Sequence, residues 1–266
     1  MAANKIFSPK RFGLLMYNDL LIHFKGYVLY ITGIGVFMYI IMTWAMYISW
    51  HFTQNDYIPF SAMFGIVLLI VIGTAFPSFN NKVTAANYIL LPASTLEKFL
   101  SQFLIRVVIT IVLFMFIFHF ATDLAQNSFS PEKRIMLGKQ MIEEFSFSEL
   151  WNSINSNLRD KIAFLFMLFS LMSFFFSTRL FFGKYAAIKT FITGTILVFG
   201  FIGIMILFSF IFYPDETSWY RETIALKEYE ICKDLNNTQL YAYLVAYISW
   251  IFFLVTGYFK FKEKQV

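Results

Sequence analysis

The side chains that most often carry chemistry are few and scattered in this chain. The three histidines, His23, His51 and His119, fall in different segments, and Cys232 is the one cysteine. A lone cysteine excludes an intramolecular disulfide and a cysteine-based metal cluster. Two histidines, His51 and His119, fall near the same predicted face of the membrane, but without a carboxylate they make a poor metal site. The sequence therefore predicts no metal, no cofactor and no catalytic site in this chain.

Motifs that bind phosphate or activate a nucleophile are also missing. The sequence contains no G-x-x-x-x-G-K-[ST] loop, no H-E-x-x-H and no G-x-S-x-G, which are the local patterns of nucleotide-binding loops, zinc proteases and hydrolases. We therefore expect that the chain is not an enzyme and does not bind ATP through such a loop.

The composition indicates a membrane protein instead of a soluble one. Of the 266 residues, 59% are hydrophobic and 14% are charged, whereas soluble domains average about 45–50% apolar and about 25% charged residues. A spanning helix needs about 20 mostly apolar residues, and continuous apolar runs favour helices over barrel strands. The sequence predicts an all-α integral membrane protein, a single transmembrane domain over 1–266, with six spans at about 27–50, 58–76, 99–121, 162–182, 190–213 and 240–259.

Lysine and arginine are distributed unevenly between the two sides of these predicted spans. The N-terminus, the loop 77–98, the loop near 179–189 and the C-terminus hold thirteen basic and three acidic residues, and the other side holds eight basic and thirteen acidic residues. Because positive charge stays on the cytoplasmic side, both termini are predicted to be cytoplasmic. The basic excess reflects this topology and gives no argument for nucleic acid as a partner.

The segment before the first span has a partly apolar face. Tyr17, Leu20, Leu21 and Phe24 recur at i, i+3, i+4 and i+7, the spacing of one helix face. One interpretation is an N-terminal amphipathic helix that lies in the cytoplasmic interface of the lipid bilayer. The other is a helical lead-in to the first span.

The middles of the predicted spans contain no Asp, Glu, Lys or Arg, and this weighs against proton- or sodium-coupled transport. Arg106 and Arg179 lie within about two turns of the cytoplasmic end. They either snorkel to the interface or line an inner vestibule. Gly194, Gly200 and Gly203 are predicted to be helix-packing positions.

The loop 77–98 is the most informative segment of the chain. Residues 83–91 form a predicted short helix, Pro92 interrupts it, and Ser94 with Glu97 forms a predicted capping box for the third span. Apolar residues at 88–91 in a water-facing loop favour contact with another surface. The loop is either a well-built connector or a rigid docking element that faces the cytoplasm.

The stretch 88–99, Y-I-L-L-P-A-S-T-L-E-K-F, resembles the loop between the second and third spans of type-2 ABC exporter permeases, most closely bacterial forms with an L-P-x-S signature. The resemblance implies a membrane subunit of an exporter in the bacterial inner membrane. It implies a separate ABC ATPase subunit that holds ATP and Mg²⁺, and a homodimer or a heterodimer with a related permease. The residues that this resemblance assigns to ATPase coupling are Tyr88, Ile89, Leu90, Leu91, Pro92, Ser94, Glu97 and Lys98.

The cargo is not identified by the sequence, although aromatic-rich spans suit an amphipathic or lipid-like substrate. A different interpretation is a membrane scaffold or envelope assembly factor without transport activity, which would use the long outer segments 122–161 and 214–239. A membrane-embedded enzyme would need polar residues clustered at one depth, and the sequence shows no such cluster.

Overall fold

The chain is almost entirely helical in the part that the structure describes. The structure is a computed structural model, and it describes residues 7–80, 82–129, 135, 142–154, 157–182, 185–212, 230–232 and 235–264. The long outer segments 122–161 and 214–239 lie partly or mostly outside these residues, so their predicted role is not addressed by the fold.

The elements follow one another with short connections. The helices are α1 Pro9–Ile48, α2 Tyr57–Ile72, α3 Lys82–Leu90, α4 Thr95–Phe103, α5 Thr110–Asn127, α6 Phe147–Ile154, α7 Leu158–Thr178, α8 Ala186–Phe212 and α9 Asn237–Glu263. A π-helical segment, Leu104–Ile109, joins α4 to α5, and short 3₁₀ turns cover Gln54–Asp56 and Pro77–Asn80. Two short strands, β1 Glu230–Cys232 and β2 Leu235–Asn236, pair antiparallel just before α9.

Five helices among the described residues are long and apolar enough to cross a membrane. They are Pro9–Ile48, Gln54–Ile72, Thr95–Asn127, Leu158–Thr178 and Gln239–Glu263. The prediction of an all-helical, multi-pass membrane protein is therefore confirmed, and five of the six predicted spans have a counterpart. The sixth predicted span, 190–213, falls in α8. Among the described residues of α8, the apolar stretch Ile188–Leu197 is shorter than a span.

The N-terminal segment and the first span form one continuous helix. Helix α1 has 40 residues, about 60 Å at 1.5 Å per residue. Tyr17, Leu21 and Phe24 are exposed and Leu20 is half-buried, whereas Asp19 of the same helix is buried. A separate interfacial helix is not confirmed, because no break separates it from the span. The continuous helix matches the other interpretation, a lead-in to the first span.

Small side chains allow α7 and α9 to pack closely. The Ser170 and Ser249 hydroxyls are 2.6 Å apart, and the Ser177 hydroxyl donates to the carbonyl of Phe253 at 2.6 Å. A Cβ built on Gly257 would lie 2.9 Å from the Cβ of Ser177. Such contacts between small and hydroxyl-bearing residues replace the hydrophobic effect, which cannot drive helices together in lipid. Gly257 is therefore a packing position that the sequence interpretation missed.

The glycines of α8 make no close contact within the described chain. A Cβ on Gly200 or Gly203 would meet no described atom within 4 Å, and one on Gly194 would be 3.6 Å from the ring of Phe174. Ordinary contact or open space at a position does not require glycine. The predicted packing role of these glycines therefore stays a prediction.

A cluster of aromatic side chains lies at the same end of the helices as α3. Phe76 has a positive φ of 55°, and its ring centroid is 5.2 Å from those of Phe176 in α7 and Phe261 in α9. Phe99 of α4 completes the cluster. A positive φ is costly for a bulky residue, and the buried ring contacts offset that cost. The turn after α2 is thereby held in place, and α3 starts from a defined position.

Candidate functional site

Helix α3 and the start of α4 form a corner, residues 82–98, between two candidate spans. The Ser94 hydroxyl accepts a hydrogen bond from the Glu97 amide at 3.2 Å, and the Glu97 carboxylate accepts one from the Ser94 amide at 2.8 Å. This is the predicted capping box, in which side chain and backbone satisfy each other's helix-end groups. The short helix predicted at 83–91 corresponds to the nine-residue α3, Lys82–Leu90.

One face of α3 is turned away from the chain. Val83 and Leu90 are 72% and 78% exposed, and Ala86 and Asn87 between them are also exposed. These four residues follow the i, i+3, i+4, i+7 spacing of one helix face. We call them the α3 outer face. Pro92, in the following turn, is exposed as well.

The opposite face of α3 packs onto its own chain. Tyr88 is buried, its ring lies edge-on to Phe79, and its hydroxyl donates to the carbonyl of Lys98 at 3.2 Å. Burial raises the pKa of Tyr88 above its ordinary range, so the phenol stays neutral and remains a donor. Ile89 and Leu91 are half-buried. Of the predicted apolar docking residues, Leu90 alone among 88–91 is largely free to meet a partner.

Lys98 locks the end of α3 to the start of α4. It is almost fully buried, and its ammonium group donates to the carbonyl of Ile89 at 2.7 Å. A cation at the last turn of a helix satisfies an otherwise unpaired carbonyl and complements the negative end of the helix dipole. Tyr88 and Lys98 thus join α3 to α4 across the turn between the two helices. Both side chains are buried, so neither is available to a partner.

Glu97 extends this corner to the first residues of α1. Its side chain has no exposed surface, and one carboxylate oxygen accepts hydrogen bonds from the Ser8 amide at 2.6 Å and from the Arg11 guanidinium at 3.1 Å. Charge-assisted bonds of this kind are stronger than neutral ones. The N-terminus of α1 and the start of α4 are therefore fixed to each other through a single carboxylate, and Tyr88 and Lys98 fix α3 to the same part of α4.

The corner is thus rigid on its inner side and apolar on its outer side. No group of three or more His, Cys, Asp and Glu that could hold a metal ion occurs among the residues that the structure describes. The exposed face of α3 therefore lies between two candidate spans and is coupled through α4 to the start of α1.

Comparison with known proteins adds no assignment to this geometry. No protein-family model, no curated protein and no solved structure matches the chain.

Proposed function

We propose that the chain is the membrane subunit of an ABC exporter in the bacterial inner membrane. It would have six spans and both termini in the cytoplasm, and would work as a homodimer or as a heterodimer with a related permease. ATP and Mg²⁺ are bound by a separate ATPase subunit, whose hydrolysis drives export of an amphipathic or lipid-like substrate. The sequence resemblance at 88–99 supplies the family, and the described α3–α4 corner supplies the physical support.

The observation that carries the proposal is the α3 outer face. Val83 and Leu90 lie seven residues apart, about 10 Å along a helix axis, on a segment outside both neighbouring candidate spans. Exposed apolar residues grouped on one face are a usual mark of a protein or membrane contact. A single short helix with such a face fits the mode in which an amphipathic helix lies in a groove of a partner. We assign that groove to the ATPase subunit.

The inner face of the corner supports transmission of a movement. Two hydrogen bonds, from the Tyr88 hydroxyl and from the Lys98 ammonium group, join α3 to α4. Glu97 joins the start of α4 to the start of α1. Elements that are joined by tight packing and hydrogen bonds move as one unit, because such contacts are not continuously deformable. A displacement of α3 by a partner would therefore reach two candidate spans, α1 and the helix that begins at α4.

The sharpest test of docking is Leu90→Asp, measured against an ABC ATPase subunit that co-purifies with the unaltered chain. Removing a buried leucine contact costs about 1.5–3 kcal/mol, and a desolvated charge adds to that cost. We expect association at least about tenfold weaker, measured by pull-down at matched membrane expression. Leu91→Asp is a less specific probe, because Leu91 packs partly against the chain's own core.

Leu158→Asp provides the matched control. Leu158 is also largely exposed, but it begins α7, far from the corner in the proposed topology. We expect it to leave association unchanged. If Leu90→Asp binds the ATPase as well as the unaltered chain does, the α3 outer face is not the docking surface. If the unaltered chain binds no ATPase and instead retains envelope proteins, the scaffold interpretation replaces the exporter.

A further inference from the structure

A second feature lies beside the corner, in a cavity of about 490 Å³. Helix α1 contributes His23 and Tyr27 to its wall, the turn after α2 contributes Thr74, and Tyr185 precedes α8. The other lining residues with a polar side chain are Tyr30 of α1, Arg106 of the π segment and Arg179 after α7. The two arginines, which lie 73 positions apart in the sequence, therefore line one cavity, as the vestibule interpretation of these residues requires.

Arg106 is buried without a hydrogen-bond partner for its Nε. It is 6% exposed, its Nε is fully buried and unpaired, and its guanidinium carbon lies 4.7 Å from the centre of the Tyr27 ring. Stacking on an aromatic face offsets part of the desolvation of a guanidinium but uses none of its five N–H donors. Because the Nε is enclosed, the donors of Arg106 that can reach a ligand in the cavity are those of its two Nη groups.

The backbone around Arg106 departs from the regular α-helix. Leu104–Ile109 is π-helical, and the Thr110 hydroxyl donates to the carbonyl of Ile105 at 3.0 Å, which helps to satisfy the wider turn. Single π turns inside α-helices occur frequently at functional sites. Here the wider turn coincides with the one arginine in this helix, so the deviation positions a charged side chain at the cavity.

Arg179 is held rigidly at the opposite wall. It is 5% exposed, and its Nε and Nη1 donate to the carbonyls of Ala75 at 3.0 Å and Phe182 at 2.9 Å. Both carbonyls lie just after helices, at the turn that follows α2 and the turn that follows α7. The two carbonyls fix the guanidinium in place at this wall of the cavity.

The cavity has no acidic residue among its described lining. Asp19 is the closest acid along α1: the Tyr27 hydroxyl donates to it at 3.5 Å and His23 is 3.9 Å away, but Asp19 lines the neighbouring cavity. A buried charge such as that of Arg106 costs several kcal/mol when no opposite charge lies beside it. The cavity therefore favours an anion.

We propose that this cavity binds the phosphate group of an anionic amphiphile. A guanidinium fork matches two phosphate oxygens. Ile22, Ile70 and Ile188 also line the cavity and suit the apolar part of the molecule. The binding site stands independently of the exporter assignment; only the role of the amphiphile as cargo rests on the proposed function.

The test is equilibrium binding of dioctanoyl phosphatidic acid to the purified full chain in a neutral detergent, read by native mass spectrometry. Dioctanoylglycerol, which has no phosphate, and inorganic phosphate are measured in parallel. We expect phosphatidic acid to bind well above dioctanoylglycerol. Arg106→Gln should weaken binding by about tenfold or more, because a charge-assisted pair is lost.

Arg159→Gln removes the same charge from an exposed position in the first turn of α7 and should leave binding unchanged. Arg106→Lys keeps the charge without the planar fork and should bind with intermediate strength, and it keeps the test valid if Arg106→Gln does not fold. Equal binding of phosphatidic acid and dioctanoylglycerol, or equal binding by folded Arg106 variants, overturns the site. Binding of inorganic phosphate as tightly as phosphatidic acid overturns the amphiphile as its occupant. None of these measurements needs an ATPase, so their failure is separate from failure of the docking test.

Discussion

Glu97 accepts hydrogen bonds from three residues of two distant parts of the chain. Ser94 is three positions away, whereas Ser8 and Arg11 are 89 and 86 positions away. The capping box is visible in the sequence because its spacing is local. The other two contacts are not visible, since they depend on where the start of α1 lies. A residue that reads as a helix cap is therefore also the connection between α1 and the α3–α4 corner.

We expect Glu97→Ala to destabilise the chain by about 2–4 kcal/mol, because it removes a helix cap and buried charge-assisted hydrogen bonds. The measurement is unfolding of the purified protein by SDS titration in mixed micelles. Glu263→Ala is the control, since Glu263 is mostly exposed and its ion pair with Lys260 is worth less than about 1 kcal/mol. Equal effects of the two substitutions would show that the Ser8 and Arg11 contacts carry no stability.

At the scale of the elements, small residues allow α7 and α9 to approach each other closely. Gly257 faces Ser177, and even the Cα of Ser177 would lie 3.3 Å from an added Cβ. Alanine is favoured over glycine in a helix by about 1 kcal/mol, so helix propensity and packing have opposite signs at this position. Which one prevails depends on whether the backbones can separate, and tightly packed helices resist this.

Gly257→Ala should destabilise the chain by about 1–3 kcal/mol, because overpacking outweighs the gain in helix propensity. Gly203→Ala is the matched control: no described atom lies within 4 Å of the added Cβ, so its stability should be unchanged or raised by up to about 1 kcal/mol. Thermal unfolding of both variants in the same detergent compares them directly. A stabilised Gly257→Ala variant would contradict the close α7–α9 approach.

For the whole molecule, both proposals depend on which end of the helices faces the cytoplasm. The charge distribution predicts that the α3 corner, the Arg106–Arg179 cavity and both termini lie on the inner side. This orientation puts the α3 outer face where an ATPase subunit would be, and it puts the phosphate site at the inner end of the spans. Both proposals therefore share one assumption that can be tested alone.

The orientation predicts how single cysteines react in a Cys232→Ser background. Ser148 and Lys262 are both exposed, and they lie on opposite predicted sides. Ser148→Cys should react with a membrane-impermeant maleimide in intact cells, and Lys262→Cys should react after permeabilisation only. Labelling of position 262 in intact cells would reverse the orientation and would remove the α3 outer face from the cytoplasm.

The sequence by itself determined the helices and their membrane character. A run of about 20 apolar residues is long enough to span lipid, and a backbone in lipid must satisfy its own hydrogen bonds, which a helix does. It also determined the capping box at Ser94 and Glu97, because the partners are three residues apart. These features depend on composition or on neighbouring positions, so no tertiary information is needed for them.

The tertiary structure decided which residues meet. Residues 88–91 are four apolar residues in a row, so periodicity does not show which of them are buried, and the sequence could not tell that Tyr88 turns inward while Leu90 turns outward. Nor could it bring Arg106 and Arg179 to one cavity or Gly257 against Ser177. Each of these contacts depends on the rotation of one helix relative to another, which is set by packing among side chains distant in the sequence.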